Sequence, residues 1–314
     1  MAPIHVSADN FVRAETHRMF RDLGGLSGAM STWFHIRQPA SVDAQTVIRM
    51  NRDTLYSAAV VDLSEPVSVT LPEPGDRYQT VMVVNEDHHI NEVFAGAGTH
   101  TIDPAVHGTR HVLLAARTLV DTTDPDDVAE AHRLQDGLGL QGGAATPFEM
   151  PDYDTVSLDA ARAALLELAR LSDGFEGAFG SVDEVDPIRH LIGTAAGWGG
   201  LPDREARYES VSPGLPVGHY RIEVGEVPVD AFWSISVYNA EGYFEPNDQG
   251  AYSINSVTAA RNADGTITVD LVPGASDAPN AIPITEGWNY VVRLYRPRPE
   301  ILDGTWSFPS ARAV

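Results

Sequence analysis

The chain has 314 residues, a net charge of −23 at pH 7 and no cysteine, and its 21 basic residues are all arginine. Without cysteine or lysine there are no disulfides, thiolate metal sites, cysteine nucleophiles, Schiff bases, Ser–Lys dyads or Walker A lysine. The acidic field argues against nucleic acid and anionic membrane as partners, and no apolar run reaches the roughly 18 residues of a membrane span.

A hydrophobic content of 43% is ordinary for a globular protein, and the length suits one or two domains. The N-terminus has no basic region followed by an apolar stretch, so a cytoplasmic location is expected; export after removal of a signal stays open.

Residues 5–24 read as a helix capped by Ser7 or Asp9, with Phe11, Ala14, Met19, Phe20 and Leu23 as its apolar stripe. Strands follow at Thr54 to Leu63, Val67 to Leu71, Tyr78 to Asn85 and His111 to Thr118. They are rich in Val, Ile, Thr and Tyr and are punctuated by Pro and Gly. Pro125 opens a helix whose Val128, Ala131, Leu134 and Leu138 recur about once per turn. Ser157 reads as the N-cap of another, with Leu158, Ala161, Leu165, Leu168 and Leu171 on one face. Residues 187–199 form a short helix or a buried turn. Strands return at Tyr220 to Val224, Phe232 to Asn239, Ala251 to Ile254, Thr266 to Val272 and Asn289 to Tyr295, with a turn at Asn262-Ala263-Asp264-Gly265.

The expected fold is mainly β: two β-sandwich or jelly-roll-like domains, residues 1–122 and 206–314, separated by a helical insert at 123–205. The two β regions share a pattern. Asp76 to Asn85 and Asp230 to Asn239 both read Asp, aromatic at +2, hydroxyl at +4, β-branched at +5, Val at +7 and Asn at +9. Duplication and chance similarity between unrelated sandwiches both account for it.

Asn51-Arg52-Asp53-Thr54-Leu55-Tyr56-Ser57, with Asp62-Leu63 and Asp76-Arg77-Tyr78, resembles the N-terminal domain of unknown function 1254. Phe232 to Tyr238, Tyr252-Ser253-Ile254, Asp264 to Ile267, Arg293 to Pro297 and Ile301 to Trp306 resemble its companion, the domain of unknown function 1214. The resemblance implies β-rich, jelly-roll-like domains and no established reaction. Two places depart from the family pattern: the loop Ile282 to Trp288, and His89, where an aromatic residue is expected.

The densest chemistry follows the first repeat. Glu86-Asp87-His88-His89 stands where the second copy has Ala240-Glu241-Gly242-Tyr243. Along a continuing strand, Glu86 and His88 would share one face and Asp87 and His89 the other. Asp87 and His88 read as an acid–base pair, with Glu86 beside them and Arg52 as a carboxylate clamp. The bland alternative is a polar strand end paired with Arg77 or Arg52. A metal site stays open, drawn from His88 with Glu86 or Glu92 and a distant His190.

Tyr56, His190, Trp198, Trp233, Tyr238 and Tyr252 are candidate substrate contacts in a cleft between the β domains. Against this, aromatics on strands are usually core, and His190 reads equally as a satisfied core residue. No Gly-x-Ser-x-Gly elbow or phosphate loop is present, so no nucleotide cofactor is expected. The expected function is an enzyme acting on a small molecule by acid–base chemistry, of hydrolase or lyase type. The alternative is a non-catalytic module that binds carbohydrate or another small ligand, or that assembles into a homo-oligomer through a sheet edge.

Overall fold

The computed structural model describes residues 2–45, 48–172 and 174–314. The chain is mainly β and divides into two compact units. The first comprises residues 1–37 and 55–203, the second residues 38–54 and 204–314. In chain order the first contains α1 (Phe11–Ser27), β1 (Phe34–Ile36), β2 (Thr54–Asp62), β3 (Val67–Leu71), β4 (Gln79–Asn85), β5 (Ile90–Ala95), β6 (Gly98–Ile102), α2 (Pro104–His107), β7 (His111–Leu119), α3 (Pro125–Asp136), β8 (Gly139–Gly142), α4 (Thr155–Ala169) and α5 (Pro187–Ala196). The second contains β9 (Ala206–Val211), β10 (Tyr220–Val224), β11 (Trp233–Tyr238), β12 (Ser253–Asn255), β13 (Ile267–Val272), β14 (Ala281–Pro283), β15 (Asn289–Tyr295), α6 (Pro299–Leu302) and β16 (Arg312–Ala313). No helix among the described residues is long and apolar enough to cross a membrane.

Each unit holds a sandwich. In the first, a sheet ordered β1-β2-β7-β4-β5 faces a smaller one ordered β6-β3-β8. Val61, Val69, Val81, Val83, Ile102 and Leu114 fill the space between them. β4 is buried at every position. Such a strand reads as a continuous apolar run because both its faces are covered. In the second unit the sheets are β12-β11-β15-β9 and β14-β13-β10-β16, around Ile222, Ile235, Val269, Leu271, Val292 and Leu294.

The repeated sequence pattern is a repeated topology. The order β2-β7-β4-β5 in the first unit is matched by β9-β15-β11-β12 in the second. The register matches as well. Gln79 faces Thr118 and Thr80 faces Arg117; in the same places Trp233 faces Leu294 and Ser234 faces Arg293. In both units the strand that ends in Asn is paired with a strand carrying a buried arginine, Arg117 or Arg293.

The helices follow local chemistry. Asp124 and Asp186 cap α3 and α5, each with Pro in the first turn, as a helix start favours. α4 is capped by Asp154, whose carboxylate accepts from the Val156 and Ser157 N–H groups; the expected cap, Ser157, lies inside the helix. α1 starts at Phe11, with Asn10 rather than Ser7 or Asp9 at its cap position, because residues 7–10 close a turn in which Ser7 N–H donates to the Asn10 side chain and Asn10 N–H to the Ser7 carbonyl. β5, β6 and β8 escaped the sequence reading: Asn, Glu, His and Gly dilute their period.

Candidate functional site

β4 ends in a clamp. The Asn85 side-chain oxygen accepts the Asp87 and His89 N–H groups at 2.9 and 2.8 Å. Asn85 N–H donates to the His89 carbonyl at 3.0 Å, and His88 N–H to the Asn85 carbonyl at 3.1 Å. The chain therefore reverses at Asn85, and the expected alternation of faces from Glu86 to His89 does not apply. His88 takes φ +59°, a left-handed conformation uncommon outside glycine but commoner for His than for most residues.

The His88 ring is fully buried. Gly199 N–H donates to its Nε2 at 2.9 Å, which makes Nε2 an acceptor and puts the ring proton on Nδ1. Nδ1 meets the Thr194 hydroxyl at 2.8 Å, and that hydroxyl donates to the His190 carbonyl at 2.8 Å. Trp198 stacks on the ring at 5.2 Å. Burial pushes His88 well below the ordinary imidazole value, and neighbouring His190 and His89 add to the effect. His88 is a neutral latch holding α5 and the following loop to the turn. The expected Asp87–His88 pair is not formed, because the Asp87 carboxylate is held by Arg13, with Nε to Oδ1 at 2.7 Å.

Glu86 points elsewhere and gathers residues the sequence did not single out. Its carboxylate accepts from the His111 backbone N–H at 2.9 Å and lies 3.2 Å from His111 Nδ1. Its other oxygen lies 2.9 Å from His17 Nε2, and the Tyr153 hydroxyl is 3.1 Å from His17 Nδ1. With His17 donating from Nε2 to the carboxylate, Nδ1 accepts from the phenol. The result is one chain: Tyr153, His17, Glu86, His111. Burial alone would raise the Glu86 pKa, but the hydrogen bonds from His111 and His17 outweigh it and hold the carboxyl well below its usual range. Beyond His111, Nε2 stands 3.8 Å from Asp62, whose own carboxyl is held down chiefly by Arg110. Tyr153 is raised by burial. The Phe148 ring sits edge-on against both imidazoles, 5.3 Å from His17 and 5.1 Å from His111.

The other expected site residues are dispersed. Both His190 nitrogens face backbone carbonyls, Ala178 and Asp87, at 3.0 Å. Trp198 donates to Thr16 at 3.2 Å, and the Tyr56 ring lies under the Arg117 guanidinium at 5.6 Å. These three belong to the first unit. Arg52 belongs to the second, where it covers the Tyr252 ring at 5.3 Å and donates to the Ala40 carbonyl; among the described residues it clamps no carboxylate. Trp233 packs edge-on against Phe308 in the core. The Tyr238 hydroxyl donates to the Met50 carbonyl at 2.7 Å and is met by Arg293 at 2.9 Å. Asp53, beside Arg52, is buried and accepts from Ser234 at 2.6 Å.

The residues named for a metal do not converge. Glu86 is bound to His17 and His111, Glu92 to His107 at 3.2 Å, and His88 and His190 as above. Among the described residues no group of three could hold a metal ion.

Residues 30–105 match the family model described as a protein of unknown function, DUF1254, and residues 214–299 the model described as a protein of unknown function, DUF1214. No curated protein matches the sequence. Among solved structures, the chain is similar to the VPA0106 protein from Vibrio parahaemolyticus, with 17% identity and a TM-score of 0.72 over 98% of this chain and 97% of that one. It is similar also to an uncharacterized protein from Burkholderia cenocepacia, with 14% identity and a TM-score of 0.54 over 98% of this chain and 88% of that one. Identities this low speak for the fold alone. With both models matched in this order, the chain belongs to the family that joins an N-terminal DUF1254 domain to a C-terminal DUF1214 domain.

Proposed function

We propose that the first unit carries an acid–base site acting on a small organic molecule, of hydrolase or lyase type. The observation behind this reading is the chain from Tyr153 through His17 and Glu86 to His111. Two imidazoles fixed on one ionised carboxylate are oriented for proton transfer, and proton transfer by positioned groups contributes about 10²–10⁴-fold to a rate. In this reading Glu86 sets the orientation of both rings. His17 and His111 exchange protons with the substrate, and Tyr153 is the donor at the rim. Asp87 and His88 act as the frame that aims Glu86.

The test is a panel of small esters, lactones, glycosides and hydroxy acids, assayed with the wild type and with Glu86→Gln. Glutamine keeps the shape but offers a single acceptor oxygen. The reading expects an activity that falls about 100-fold in Glu86→Gln while the variant stays folded. A panel without turnover, or turnover unchanged in Glu86→Gln, would sink it.

One observation favours the non-catalytic alternative. In the second unit a shallow surface recess is lined by Tyr238, Glu245, Asn247, Tyr252 and Thr285. An aromatic ring among polar groups suits a small polyhydroxylated ligand. Loss of sugar binding in Tyr252→Ala, with no turnover anywhere on the panel, would favour that reading over catalysis.

A further inference from the structure

Segment 145–150 is held unlike its surroundings. It is anchored on both sides. Gly143 N–H donates to the Pro66 carbonyl at 3.1 Å and Ala144 N–H to the Asp62 carbonyl at 3.2 Å; beyond the segment, Ile4 N–H donates to the Asp152 carbonyl at 2.7 Å. Between those anchors, among the described residues, no hydrogen bond or ion pair involves residues 145–150. Ala145, Thr146, Pro147 and Glu149 are exposed, while Phe148 turns inward.

The Phe148 ring enters a slot under α1. Its apolar side is Phe20, Val60 and Leu113, with Trp198 at the margin; Phe20 meets the ring edge-on at 5.6 Å. Its polar end is the pair of imidazoles that Glu86 holds, His17 and His111. A phenyl group thus occupies a slot that is apolar along its length and ends in acid–base groups, on a segment tied down by little besides that ring. A backbone fixed only by one side chain belongs to the low-stability end of a protein's local openings.

We infer that Phe148 is a lid residue standing in the place of the ligand. The slot is a binding site for a small molecule with one phenyl-sized apolar ring and a hydrogen-bonding head group, and the ligand enters as segment 145–150 swings out. The ring of the ligand replaces that of Phe148, and its hydroxyl, amine or ester oxygen reaches the His17–Glu86–His111 groups. Apolar pockets with a few convergent polar groups are the ordinary form of small-molecule sites. The inference rests on the acid–base reading for the use of the head group; the slot itself does not depend on turnover.

Phenol is a suitable probe, because it carries the ring and a head group and nothing else. It is titrated into the wild type, Phe148→Ala and the milder Phe148→Leu, with affinity followed by NMR shifts and segment 145–150 by amide relaxation order parameters. The expected result has two parts. Phenol lowers the amide order parameters across 145–150 in the wild type while those of α1 and β7 stay unchanged. It also binds Phe148→Ala at least tenfold more tightly, since no side chain then competes for the slot. Should Phe148→Ala fail to fold, Phe148→Leu is expected to show the same order, and the wild-type relaxation measurement stands without either variant.

Phenol bound by a variant but leaving the wild-type order parameters of 145–150 unchanged at saturation would make Phe148 a fixed core residue and the variant site a mere cavity; that overturns the inference. Absence of binding to every form overturns it too. None of these readouts contains turnover. Activity lost in Glu86→Gln without phenol binding rejects the slot and keeps the acid–base site; phenol binding without any Glu86-dependent activity does the reverse.

Discussion

The turns that follow β4 and β11 are the same device built from different residues after the shared Asn. Asn239, like Asn85, accepts two backbone N–H groups on its side-chain oxygen, from Glu241 at 3.2 Å and Tyr243 at 3.0 Å. It also exchanges the matching backbone bonds, Asn239 N–H to the Tyr243 carbonyl and Gly242 N–H to the Asn239 carbonyl. The fourth residue is left-handed in both turns: Gly242 at φ +90° and His88 at φ +59°. What crosses the turn explains the choice. At Gly242 the chain itself passes close by, with Arg49 N–H on the Gly242 carbonyl at 2.8 Å, and a Cβ there would stand 3.3 Å from that of Ile48. At His88 an imidazole fills the equivalent position and takes the backbone N–H of Gly199 instead. A cluster that looks like chemistry in one dimension is half architecture: His88 serves the latch, and Glu86, two residues earlier, is free to face the histidines.

Removing what differs between the turns should have the largest effect. His88→Ala deletes a fully buried ring with two hydrogen bonds and a stacked tryptophan, so it is expected to cost the first unit about 3 kcal/mol or more. Gly242→Ala adds only a methyl group, but in a left-handed conformation and against Ile48; about 1–2 kcal/mol is expected in the second unit. Chemical denaturation, followed by tryptophan fluorescence and hydrogen exchange, would rank the two. A His88→Ala cost below that of Gly242→Ala would show that the latch is not the principal tie.

The second way to separate the turns is by pH, since only the first contains a titrating ring. The folded His88 pKa lies below the unfolded value of about 6.5. In the window beneath 6.5 the unfolded chain therefore binds the extra proton, and stability rises with pH there. The contribution is complete above pH 6.5 and drains away as pH falls towards the folded value, at no more than about 1.4 kcal/mol per pH unit for one proton. His35, His89 and His107 are also lowered, by burial first, so the wild-type slope sums over several rings. Glu86, held low, adds a further loss only below its unfolded value of about 4.3. His88→Asn, which tolerates positive φ, should flatten the limb between pH 6.5 and 4.5 and leave the limb below it. Equal slopes in wild type and variant would mean that His88 does not carry the difference.

The strands were legible because runs such as Val81 to Val84 and Val291-Val292 carry their β preference in every residue. Arg117 and Arg293 hold equivalent register positions in the two units. The site was legible in one residue of four. Glu86 stood in a conspicuous tetrad, but His17, His111 and Tyr153 reach it from α1, from the head of β7 and from an irregular segment, so no spacing along the chain joins them. Asp87 and His88 misled for a local reason: strand alternation was carried past Asn85, whose side chain turns the chain back. The signal was nonetheless present, because an Asn closes the strand in both copies and Gly242 marks where the backbone leaves the right-handed region.

The last comparison concerns what the two turns share. Asn85→Ala and Asn239→Ala each strip a side-chain acceptor from two backbone N–H groups, a loss of the kind seen at helix caps, about 1 kcal/mol. The environments then separate them. Asn85 also donates from Nδ2 to the buried His107 carbonyl at 2.8 Å, and a buried carbonyl left without a donor adds about 1 kcal/mol or more. The Nδ2 of Asn239 donates to Glu245 in the open at 2.9 Å, where water replaces it. Asn85→Ala should therefore cost about 2 kcal/mol in the first unit and Asn239→Ala about 1 kcal/mol in the second, measured by the same denaturation series. Because Asn85 also sets the direction in which Glu86 leaves the strand, its loss should loosen the His17 and His111 rings in NMR spectra, while Asn239→Ala leaves them unmoved. Rings undisturbed in Asn85→Ala would separate the clamp from the site and leave Glu86 aimed by its histidines alone.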